Sequence, residues 1–60
     1  MIKGDKLKDY PVKGKNTIVS GEVIRISKSL ITIKLSAPYI GANDTSKKGD
    51  FKFFNLSDFE

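Results

Sequence analysis

The pattern of apolar and polar positions is clearest in the middle of the chain. In NTIVSGEVIRIS (16–27) and LITIKLS (30–36) β-branched residues crowd together and polar positions alternate with them. That is the period of a strand with one buried face. In the second run Ile31, Ile33 and Leu35 share one side, and Leu30, Thr32 and Lys34 the other. In the first, Ile24 and Ile26 point one way while Val23 and Arg25 point the other. Lys28–Ser29 lies between the runs and predicts a tight hairpin, although it lacks the glycine or asparagine that such turns favour. Gly21 interrupts the first run, which predicts a bulge or a sharp bend. FKFFN (51–55) predicts a further strand, with Phe51 and Phe53 on one face and Lys52 and Phe54 on the other. No stretch carries apolar residues at helical spacing over three turns, so no helix is predicted.

The remaining segments are weaker. MIKGDKL (1–7) offers Ile2 and Leu7 around Gly4–Asp5, enough for a short first strand. KDYPVKGK (8–15) predicts a loop, because Pro11 cannot donate to a ladder. Residues 37–50 contain Pro38, Gly41, Asn43, Asp44 and Gly49, all turn formers, and predict one long loop. LSDFE (56–60) predicts a single turn capped by Ser57, with Leu56 and Phe59 turned back toward the body. The whole pattern predicts one all-β domain over residues 1–60. It would be a small barrel of four or five strongly bent antiparallel strands with a single 3₁₀ turn near the C-terminus.

Composition narrows how such a domain holds together. A chain of 60 residues buries only about 60% of its unfolded surface. Cysteine and histidine are both absent, so neither a disulfide nor the usual zinc ligands are available. Stability must come from packing, and large side chains are scarce. The four phenylalanines lie within nine residues of one another. Phe51, Phe53 and Phe59 are therefore expected in the core, which leaves Phe54 free on the surface.

The net charge is +4, with ten lysines among eleven basic residues. Residues 1–15 carry five lysines against Asp5 and Asp9, whereas residues 36–60 carry three lysines against Asp44, Asp50, Asp58 and Glu60. The basic excess thus sits in the first half, and it points to an anionic partner. The same lysine bias also serves solubility. Neither a signal peptide nor a long apolar run is present, which makes a cytoplasmic location the expectation and a membrane partner unexpected.

Three pieces together resemble an SH3-like small β-barrel and, more loosely, the KOW-type barrels of ribosomal and transcription proteins. IKGDKL resembles the opening strand, SGEVIRISKSLITIKL the central hairpin bent at Gly21, and FKFFNLSDFE the closing strand with its one-turn 3₁₀ segment. In that family a last strand normally follows the turn, whereas this sequence stops at Glu60. The resemblance then leaves three possibilities: an open barrel, an N-terminal segment that supplies the missing edge, or a shortened chain. FKFFN is also similar to the aromatic runs of cold-shock and RNA-recognition domains. The context differs, since the cold-shock run opens its domain and the RNA-recognition fold needs two helices.

Chemistry that makes or breaks bonds finds no support. No nucleophile has an activating partner at a recognisable spacing, and neither a phosphate-binding glycine loop nor a calcium-loop spacing occurs. The expectation is a non-enzymatic binding module without cofactor or metal. Two versions stand. In the first, Val23, Arg25, Thr32, Lys34, Lys52 and Phe54 point outward, and the face of Arg25, Lys34, Lys52 and Phe54 binds nucleic acid with little sequence preference. In the second, the protein is an interaction or regulatory accessory module. It docks a protein partner through an edge strand or through Tyr39, Ile40, Lys47 and Lys48 of the 37–50 loop.

Overall fold

Strand β2 (Thr17–Ser27) organises the protein. Its first half pairs antiparallel with β1 (Lys6–Val12) and its second half with β3 (Leu30–Leu35). The two halves meet at Gly21, which pairs with Leu7 on one side and Leu35 on the other. A Cβ at Gly21 would lie 2.4 Å from the Lys34 carbonyl oxygen and 2.7 Å from Ile33 Cγ2. Only glycine lets the strands approach this closely. The expected hairpin closes β2 onto β3 at Lys28–Ser29, with Ser27 opposite Leu30. Lys28 takes a positive φ of 56° to make it.

The computed structural model describes residues Met1–Phe59. The chain continues through a short hairpin, β4 (Tyr39–Ile40) and β5 (Thr45–Ser46), then β6 (Phe51–Asn55) and a 3₁₀ turn (Leu56–Phe59). The main sheet has the order β1-β2-β3-β6, antiparallel throughout. The protein is therefore all-β, with one strongly bent sheet and the single 3₁₀ turn the sequence predicts; the turn starts at Leu56, so Ser57 lies inside it and does not cap it, and Glu60 lies outside the described residues. The sheet does not close by pairing its edges. The 3₁₀ turn that follows β6 reaches the end of β1 instead: Lys13 N–H donates to Asp58 O at 2.8 Å.

Two sequence expectations about strands give way. The 8–15 segment is mostly strand, not loop, because β1 is an edge and an edge tolerates Pro11. A bulge at Lys8–Asp9 accompanies it; Asp9 has φ 49°, and its N–H donates to Ser20 Oγ at 2.9 Å. The 37–50 loop likewise contains the β4–β5 hairpin. The N-terminal residues prolong the β1 edge, since Gly4 N–H donates to Val23 O and Val23 N–H to Asp5 O.

The core collects Leu7 and Val12 from β1, Val19 and Val23 from β2, and Ile31, Ile33 and Leu35 from β3. Three aromatic rings complete it. Phe54 meets Tyr39 and Phe59 edge-on, each at 5.5 Å between centroids, and Tyr10 leans on Phe59 at 5.6 Å. Such T-shaped pairs add to the burial itself.

Candidate nucleic-acid interface

The register of β3 with β6 decides which side chains reach solvent. Ile31 lies opposite Phe54 and Ile33 opposite Lys52, so these four share the inner face. Phe51 and Phe53 therefore stand on the outer face, opposite Lys34 and Thr32. This reverses the expected division of the rings. Phe54 is 1% exposed, whereas Phe51 is 57% and Phe53 64% exposed. Phe59 is buried as expected.

Val23 is also inside rather than out, fully buried beside Ile33 of β3. The cause is a bulge at Ile24: Val23 pairs with Ile33 and Arg25 already with Thr32, so the facing of β2 shifts by one residue there. Beyond the bulge, Ile26 faces the core and Arg25 faces outward as predicted.

Lys52 points inward and is mostly covered at the rim of the sheet. Its Nζ pairs with Asp44 and lies 5.3 Å above the Tyr39 ring. It thereby ties β6 to the β4–β5 hairpin and is not free on the outer face. Tyr39 is 2% exposed and shares a 2.8 Å hydrogen bond with Thr17 Oγ1. It caps the end of the sheet and presents no surface to a partner. Ile40, Lys47 and Lys48 are exposed as expected, and Ile40 borders a hollow with Pro11 and Ile18.

The outer face is ordered in rows. Lys6, Glu22, Lys34 and Phe51 form the first; Arg25, Thr32 and Phe53 the second; Ser27, Leu30 and Asn55 the third. Rows along one side of a strand repeat roughly every 7 Å. Leu35 N–H donates to Asp50 O, and Leu56 N–H to Ser29 O. These two bonds fix the phase of the β3–β6 ladder. Lys34–Phe51 and Thr32–Phe53 fall on its non-hydrogen-bonded pairs, where opposed side chains come closest. Lys34 is thus the cross-strand neighbour of one exposed ring. A hollow of about 200 Å³ bounded by Arg25, Ser27, Leu30, Thr32 and Phe53 lies beside the other.

Of the four residues expected to bind nucleic acid, then, the structure brings Arg25 and Lys34 together on this face and removes Lys52 and Phe54 from it. Phe51 and Phe53 take their place. No signal inside FKFFN reveals this, because both faces of that segment carry rings and a lysine normally prefers the wet side. Asp44 is the residue that makes an inward Lys52 acceptable, and it lies in a different element.

No helix among the described residues is long and apolar enough to cross a membrane. No family model matches the chain, and no curated protein or solved structure matches it significantly.

Proposed function

We propose that this protein is a non-catalytic, SH3-like module that binds single-stranded nucleic acid on the outer face of its sheet. The observation that carries the reading is the pair Phe51 and Phe53, adjacent on one face, both more than half exposed and flanked by Lys34 and Arg25. A 60-residue chain has few rings to spare from its core. Placing two of its four phenylalanines in solvent is costly unless they have something to cover. Bases stack on such rings without regard to sequence, and neighbouring cations meet the phosphates. The row spacing of roughly 7 Å suits an extended strand with one nucleotide per row. Each ring takes a base, while Lys34 and Arg25 lie on the inner strands to receive the backbone. A duplex hides its base faces and does not fit this arrangement.

The test is a titration of labelled single-stranded oligonucleotides at low and physiological salt, with the wild type and with Phe51→Ala and Phe53→Ala. Each substitution should weaken binding by about 5- to 150-fold, the equivalent of one lost stack, and leave the fold intact. Wild-type protein that binds no oligonucleotide at low salt ends the proposal. Binding that survives the double substitution undiminished removes the rings from it.

A further inference from the structure

The two edges of the sheet are built differently. The β1 edge is broken by the Lys8–Asp9 bulge, contains Pro11 and carries Lys6, Lys8 and Asp9. These are the devices that keep an edge from pairing with another chain. The β6 edge has neither bulge nor proline, and the outward-facing side chains Phe51, Phe53 and Asn55 carry no charge. The phase of the β3–β6 ladder spends the N–H and C=O groups of Lys52 and Phe54 on β3, which leaves those of Phe51, Phe53 and Asn55 pointing to the free edge. No other backbone bond engages them among the described residues, except that the Asn55 carbonyl also accepts the first bond of the 3₁₀ turn and offers the edge its second lone pair.

We propose that β6 pairs with β6 of a second copy of this chain, antiparallel about a two-fold axis through Phe53. The arrangement is self-complementary. Phe53 exchanges both bonds with Phe53 of the second copy, and Phe51 exchanges both with Asn55 in each direction. Every free group of the edge finds a partner, and no charge confronts its like across the axis. The two Phe53 rings then become cross-strand neighbours, a favourable aromatic pair. Lys34 and Arg25 sit one and two strands back from the axis, which keeps the excess positive charge of the copies apart. Because the β1 edge is blocked, pairing stops at two copies and does not continue into a fibre. The inference goes beyond nucleic-acid binding and does not depend on it. In the dimer the rings still face outward, and two half-platforms merge into one.

The experiment combines sedimentation with residue-resolved amide exchange, both without nucleic acid. As concentration rises from micromolar to millimolar, the mass should shift from one chain to two. Exchange at the Phe51, Phe53 and Asn55 amides should slow in step, while the Lys52 and Phe54 amides stay protected throughout. The variant Phe53→Lys should remain folded and monomeric, because two ammonium groups would meet at the axis. A wild type that stays monomeric at millimolar concentration overturns the proposal. So does a dimer whose Phe53 amide exchanges freely, since the copies then meet through their faces. A folded Phe53→Lys variant that still dimerises overturns it as well. If that variant unfolds, exchange in the wild type decides alone.

Discussion

Alanine at Phe54 removes a ring that packs against both Tyr39 and Phe59 and is almost wholly buried. Such a truncation costs about 3–5 kcal/mol. A domain of this size holds only a few kcal/mol of stability in total. Phe54→Ala should therefore be largely unfolded at room temperature, as read by circular dichroism and denaturant titration. Phe53→Ala, one residue away, removes a ring that is 64% exposed and should leave the midpoint within about 0.5 kcal/mol of wild type. Equal losses at the two positions would mean that the Phe53 ring is covered. Gly21 gives a third result at this scale. Gly21→Ala drives a methyl into the Lys34 carbonyl, and overpacking of that kind costs about 1–3 kcal/mol. A denaturation midpoint equal to that of wild type would show that the β2–β3 approach at Gly21 relaxes freely.

At the level of elements, the β2–β3 hairpin holds a lysine where the turn needs positive φ. Lys28 sits at 56° in the first of its two central positions. A side chain there costs about 1 kcal/mol or more relative to glycine, less what glycine loses through unfolded-state entropy. Lys28→Gly should raise stability by about 0.5–1 kcal/mol in urea titration; a lower midpoint would mean that the lysine makes contacts elsewhere. The same hairpin shows what the sequence reveals. Its strands, its turn and the closing 3₁₀ turn are legible, because each rests on local period or local backbone need; at Gly21 the need for glycine is real, but it comes from the close approach of β3 and not from a bulge. The facing of β6 is not legible. FKFFN has rings at both parities, and a slip of one residue turns every side chain over. What settles it is pairing with β3, where Ile31 and Ile33 already define the inside. The Ile24 bulge is hidden for a related reason, since Val23, Ile24 and Ile26 are interchangeable to a period-two pattern. Pro11 and the β4–β5 hairpin show the reverse case, in which position in the sheet overrides poor local propensity.

At the level of the whole molecule, the net charge of +4 and the cations beside the rings act differently on the proposed binding. The full charge steers an anionic strand toward the protein, but only cations that touch phosphate release counterions on binding. Lys34 and Arg25 are the two beside the exposed rings; Lys52 is held by Asp44, and Glu22 stands between Lys6 and Lys34 in the first row. Two phosphate contacts to a single strand give a slope of log K against log salt of about −1.4. Affinity should then fall by about sevenfold between 50 and 200 mM salt. Lys34→Ala should weaken binding and reduce the slope by about 0.7. Phe51→Ala should weaken it with the slope unchanged, because stacking releases no counterions. Fluorescence anisotropy over a salt series separates the two effects. A slope near −3 or steeper would place the lysines of the first fifteen residues in contact with the strand and move the interface toward β1. A slope near zero would show that no phosphate is held and that the rings alone carry whatever binding is seen.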